Sequence, residues 1–161
     1  MASEFSIRPA VPADAPEIAR LIKELAEYEK LAHMAVGTPE MIKDALFGAR
    51  PSAEAMMAER GGRAVGFALY FTTFSTFLCK PGLYLEDLFV EPVHRGFGIG
   101  KALLASLASL AAERGCGRLE WRVLDWNTPS IKFYESLGAT LMPEWELVRM
   151  TAPEFKALAA R

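Results

Sequence analysis

Two short runs of this 161-residue chain carry residues whose types and spacing suit chemistry. The first is Arg95-Gly96-Phe97-Gly98-Ile99-Gly100-Lys101, which follows an apolar run and opens an amphipathic one. Its three glycines let backbone N–H groups approach an anion closely, and a helix beginning there adds partial positive charge. Such a turn suits a phosphate or a pyrophosphate. Two common phosphate patterns fail on named residues. A Walker loop needs glycine where Arg95 stands and Ser or Thr where Ala102 stands. A dinucleotide fingerprint beginning at Gly96 needs glycine at Lys101.

The second run is Leu83-Tyr84-Leu85-Glu86-Asp87-Leu88-Phe89-Val90, an apolar strand with two adjacent carboxylates. Neighbours in a regular strand point to opposite faces, so Glu86 and Asp87 are expected on different sides. If both faces are covered, at least one carboxylate is buried or lines a cleft, and burial shifts its proton affinity. A third run, Asp125-Trp126-Asn127-Thr128-Pro129-Ser130, leads into Ile131-Lys132-Phe133-Tyr134 and ends at Gly138. Capping alone explains Asn127, Pro129 and Gly138, while a buried Tyr134 hydroxyl calls for a polar partner.

The elements that must position these residues follow from periodicity and breakers. Phe5 to Arg8 alternates as a short strand, broken by Pro9 and Pro12, and Asp14 is expected to cap a helix to about Leu31 with Ile18, Leu21, Ile22 and Leu25 inward. Thr38 and Pro39 start a second helix with Met41, Ile42, Ala45 and Leu46 inward. Ala55–Glu59 and Val65–Thr72 read as strands joined at Gly61-Gly62, followed by the strand Leu83–Val90. Then come a helix from about Gly98 to Arg114, a strand Leu119–Leu124, a helix capped by Asn127, a strand Glu146–Met150 and a terminal helix Pro153–Ala159. The order β-α-α-β-β-β-α-β-α-β predicts one α/β domain over 1–161 with a mixed sheet.

Composition sets the outer limits. Hydrophobic residues are 52% and charged residues 24%, which suits a packed core. A net charge of −2 gives no electrostatic footprint for nucleic acid or an anionic membrane. Cys79 and Cys116 have no metal-type or redox spacing, so no metal is expected. The start Met1-Ala2-Ser3-Glu4-Phe5 lacks the features of a signal peptide, and the reading is a cytoplasmic protein. Cys79 is read as structural, and Trp121, Trp126 and Trp145 as packing residues.

The chain resembles the GNAT superfamily of acyl-CoA-dependent N-acetyltransferases. Arg95, Gly98 and Gly100 fit its Arg/Gln-x-x-Gly-x-Gly/Ala signature, and Asn127, Ser130, Phe133, Tyr134 and Gly138 fit its second hallmark. Within it the chain is most similar to the diamine (spermidine/spermine) N-acetyltransferases, through Phe5–Ala10, Leu21–Ala26, Tyr28-Glu29, Val65–Ala68, Tyr84–Asp87, Arg95–Gly100 and Trp126-Asn127. The resemblance implies acetyl-CoA as co-substrate. Backbone groups of Leu88, Phe89 and Val90 would hold the pantetheine arm; Arg95, Gly96, Phe97, Gly98, Ile99, Gly100 and Lys101 would surround the pyrophosphate; Asn127 and Ser130 would contact the lower cofactor. It implies Glu86 as base and Tyr134 as acid, with Tyr28, Glu29, Glu86, Asp87 and Glu144 facing a small-molecule amine, and a homodimer.

That chemistry is coherent in elementary terms. An aliphatic amine has a pKa of roughly 10, like lysine, so it must lose a proton before it attacks, and a carboxylate can attract it and accept that proton. The polyamine enzymes carry further acids where this chain has Leu31-Ala32-His33-Met34, which directs the expectation toward a shorter diamine or a lysine-like amino acid. The alternatives are a protein N-terminal or lysine acetyltransferase, and a non-catalytic acyl-CoA sensor.

Overall fold

The computed structural model describes residues 5–160. Its chain divides into two compact units at Arg122/Val123. In the first, five strands form one sheet in sequence order: β1 (Phe5–Pro9), β2 (Glu54–Arg60), β3 (Arg63–Ser75), β4 (Lys80–Val90) and β5 (Leu119–Trp121). The first three junctions are antiparallel and β4–β5 is parallel, so the sheet is mixed as expected. The turn between β2 and β3 is built on Gly61 and Gly62, both at positive φ (60° and 75°), the geometry a two-residue hairpin needs.

Helices cover both faces. On one, α1 (Ala15–Tyr28) and α2 (Pro39–Phe47) bring Ile18, Leu21, Leu25 and Leu46 against Ala55, Met57, Phe67 and Phe89. The alternate strand residues Met56, Ala58, Ala68, Leu83 and Leu85 are buried too, as period two requires for a sheet covered twice. They face α3 (Ile99–Glu113), whose Leu103, Leu104 and Leu107 are buried and which packs along β1 to β4. The second unit carries α4 (Thr128–Ser136) and α5 (Ala152–Ala159).

Several sequence expectations need correction. Pro9 does not break β1 but ends it, opposite Met56; β1 is an edge strand, where a missing N–H is tolerated. Asp14 stands at the N-cap of α1 without a side-chain capping bond. Its carboxylate is held instead by Arg8 (2.7 and 2.8 Å) and by the Val11 N–H (2.8 Å). Thr38 does cap α2, accepting from the Met41 N–H at 3.3 Å, but Met41 itself is exposed. β5 stops at Trp121, because its partner β4 bulges immediately after Leu85. Glu146–Met150 is not a strand: no other strand is found among the described residues of its unit to pair with it. Trp126 and Trp145, expected as packing residues, are exposed at 44% and 74%.

Candidate active site

The carboxylate pair sits on a defect in the sheet. On β3, Tyr70 pairs with Leu85 while Leu69 pairs with Asp87, so Glu86 is an extra residue on β4. Leu69 and Tyr70 are neighbours and point to opposite faces. Leu85 and Asp87, two positions apart, therefore also lie on opposite faces: Leu85 toward α3 and Asp87 toward α1. The strict alternation expected from the sequence fails at this bulge, as bulges re-aim side chains and bend the strand. Glu86 is exposed, whereas Asp87 is half-buried.

Burial pushes the Asp87 carboxyl up to about 7, with the charges of Glu86 and Glu29 adding to it. Glu29 follows the last turn of α1, and burial raises its carboxyl as well. Three acids from two elements thus lie close together, and the charges of Glu86 and Glu29 make Asp87 harder to ionise. A cation placed among them would relieve that repulsion.

The same bulge opens the strand edge. β5 pairs with β4 only over Leu83–Leu85, so beyond Leu85 the β4 edge remote from β3 has no strand partner among the described residues. Peptide groups on a bare edge can bond the amides of an extended ligand. Leu88, Phe89 and Val90 lie along this stretch, although the Val90 carbonyl already accepts from Arg95 Nε at 2.9 Å. The Arg95 guanidinium lies over the rings of Tyr28 (4.9 Å) and Phe89 (5.5 Å). It ties the end of α1 to β4 and to the turn that follows.

In that turn Gly96 and Gly98 are left-handed, with φ of 83° and 85°. A Cβ at either would meet nothing within 4 Å, so glycine is required by backbone conformation rather than by space. Gly98 is the N-cap of α3, whose first N–H groups lack intrahelical acceptors. Arg95, Gly96, Phe97, Gly98 and Lys101 are exposed, while Ile99 anchors the helix start in the core at 1% exposure. The bare edge and the left-handed glycines before a helix N-terminus fit a cofactor with amide-rich and phosphorylated parts.

In the second unit, Asn127 is buried at 6% exposure and precedes α4 without a side-chain capping bond; its carbonyl accepts from the Ile131 N–H at 3.0 Å. Asn127, Ser130 and Tyr134 are spaced three and four residues apart, so they share one side of the helix. Tyr134 is half-buried and tilted against Phe133 at 5.4 Å. Glu144 is exposed in the turn region after α4. Thus Tyr28, Glu29, Glu86, Asp87 and Arg95 are gathered around one end of β4, and Asn127, Ser130 and Tyr134 line one helix.

Sequence reasoning missed Glu91. It is 5% exposed and accepts from Arg63 (2.7 and 2.6 Å) and Arg20 (2.6 Å). Burial works to raise its carboxyl, but the two guanidiniums hold it below the usual range. An acid directly after an apolar strand was the available signal; its partners lie 71 and 28 residues away.

Residues 19–139 match the acetyltransferase (GNAT) family. The chain is 36% identical to a thialysine N-epsilon-acetyltransferase of Bos taurus, over 96% of this chain and 97% of that one. It is 32% identical to an L-ornithine N5-acetyltransferase of Arabidopsis thaliana, over 94% and 86% respectively. Among solved structures, an integron cassette protein of V. cholerae superposes with a TM-score of 0.82 at 27% identity, covering 100% of this chain and 99% of that one. With a bulge on β4 where its pairing to β5 ends, a glycine turn opening α3, and relatives matched over nearly their whole length, this chain belongs to the GNAT family and is an N-acetyltransferase.

Proposed function

We propose that the chain transfers the acetyl group of acetyl-CoA to the primary amine of a small molecule, a diamine or a lysine-like amino acid. The observation that carries this reading is the acid cluster Glu29, Glu86 and Asp87 at the point where β4 loses its neighbour. An alkylammonium group is what such a cluster would take. The relatives named for thialysine and ornithine, both amino acids with a side-chain amine, support the same class.

Acetyl-CoA supplies the thioester carbonyl carbon. In this reading Leu88, Phe89 and Val90 align the pantetheine arm through the open β4 edge, and Arg95, Gly96, Phe97, Gly98, Ile99, Gly100 and Lys101 hold the pyrophosphate, with Asn127 and Ser130 on the lower cofactor. Tyr28, Glu29, Asp87 and Glu144 receive the amine. Glu86 accepts the ammonium proton, directly or through water, and the neutral amine attacks. Tyr134 then donates its hydroxyl proton to the leaving thiolate, the second proton of the new amide nitrogen returns to the tyrosinate, and Glu86 releases its proton to water. Bringing the two substrates into register supplies much of the acceleration, and no covalent enzyme intermediate is needed.

A second reading gives the proton to Asp87. What favours it is that Asp87 is the less exposed member of the pair, with its carboxyl pushed up to about 7. Turnover of Glu86→Gln, Asp87→Asn and Tyr134→Phe separates the roles. The leading reading expects Glu86→Gln and Tyr134→Phe to lose on the order of 10²-fold or more in kcat with acetyl-CoA affinity little changed. Unchanged kcat in Glu86→Gln would move the base to Asp87, and unchanged kcat in Tyr134→Phe would remove it as the acid. We also read the enzyme as a cytoplasmic homodimer; light scattering at twice the 17.7 kDa chain mass would support the dimer.

A further inference from the structure

The buried Glu91 cluster leads outward to a cation at the edge of the glycine turn. His94 closes the short turn Pro92–His94 and brings Nε2 to 3.5 Å from Glu91 Oε2. Its other ring nitrogen, Nδ1, lies 3.4 Å from Arg60 Nη1. Arginine can only donate, so Nδ1 is the acceptor and the ring proton sits on Nε2, facing the carboxylate. Arg60 in turn lies over the ring of Phe97, with Cζ 4.0 Å from the ring centre. The last residue of β2 is thus fastened to the middle of the turn by an aromatic face and the His94 ring.

Arg8, Arg20, Arg63, Arg114 and Arg118 each pair with a carboxylate, but no ion pair to Arg60 is found among the described residues. Glu91, the nearest acid along this chain of contacts, is taken by Arg20 and Arg63. The signature arginine, Arg95, is turned the other way, bonded to the Val90 carbonyl and lying over Tyr28 and Phe89. The charge beside the outer part of the turn therefore comes from a residue outside the motif.

We propose that Arg60 is a phosphate-binding residue of the cofactor site and takes the 3′-phosphate of the coenzyme A nucleotide. This rests on the acetyl-CoA reading above. The turn's N–H groups, the start of α3 and Lys101 supply donors for the pyrophosphate. Arg60 flanks them on β2, where a peripheral phosphomonoester can meet a guanidinium fork already oriented by Phe97 and His94.

Calorimetric binding of coenzyme A and of 3′-dephospho-coenzyme A to the parent chain, Arg60→Met and Arg60→Lys tests this. The parent is expected to prefer the 3′-phosphorylated form by about tenfold, one charge-assisted contact. Arg60→Met should lose that preference while binding the dephospho form as the parent does, and Arg60→Lys should keep part of it. A preference that survives in Arg60→Met, no preference in the parent, or an equal loss for both ligands would overturn the assignment; the last would mean that Arg60 only braces Phe97. A parent chain that binds neither ligand overturns the cofactor reading itself, and the assignment with it.

Discussion

At the scale of single residues, proton affinity at Asp87 is the property that most needs a functional explanation. A carboxyl held near 7 is ionised only in part at neutral pH, and the shift has a definite sign for stability. Between its ordinary value of 3.8 and about 7, the folded chain keeps a proton that the unfolded chain has released. Stability contributed at this position therefore falls as pH rises through that window. Asp87→Asn removes the penalty, so its Tm gain over the parent should be larger at pH 8 than at pH 5; an equal gain at both would show that Asp87 titrates normally. If Asp87 is the proton acceptor, kcat/KM of the parent should also rise with an apparent pKa near 7, and that limb should vanish in Asp87→Asn. Tyr28 and Glu29 were legible as a pair because their neighbours in the sequence fit a family pattern. The mutual crowding of Glu29, Glu86 and Asp87 was not, since it depends on α1 ending over β4.

At the scale of elements, the bulge and the glycine turn do the positioning. Sequence periodicity placed β4 and its two acids, but it could not reveal that Glu86 is an inserted residue, because register is a property of two strands. The bulge turns Asp87 toward α1 and bares the edge that follows. The turn was legible in full: Gly96, Gly98 and the start of α3 are where the motif put them. Gly98→Ala separates conformation from space. Its Cβ meets nothing within 4 Å, yet φ is 85°, so the cost is about 1–2 kcal/mol of backbone strain. The expected result is a modest loss of Tm with acetyl-CoA affinity reduced several-fold or more, as the left-handed geometry relaxes. Unchanged affinity measured by calorimetry would mean that this geometry does not serve the cofactor. Asp14 shows the opposite lesson: a good capping residue by type is diverted by Arg8, a partner no local rule could name.

At the scale of the whole molecule, the succession of elements, the mixed sheet and the family were within reach of the sequence, because each rests on local periodicity or on motifs. Long-range ion pairs were not. The Glu91 cluster joins α1, β3 and the segment after β4, and only the folded chain shows that it extends through His94 to Arg60 and the turn. The expected last strand failed for the same reason, since alternation along Glu146–Met150 says nothing about a neighbour to pair with. The central claim, acetyl transfer from acetyl-CoA to a small primary amine, is tested most directly by free-thiol release. The panel of acceptors should hold putrescine, spermidine, spermine, ornithine, lysine, thialysine and a short peptide. Amine-dependent release is expected with at least one small diamine or side-chain-amine amino acid, and none with the peptide. Release with the peptide alone, or silence across the panel from a chain that binds acetyl-CoA, would contradict that claim.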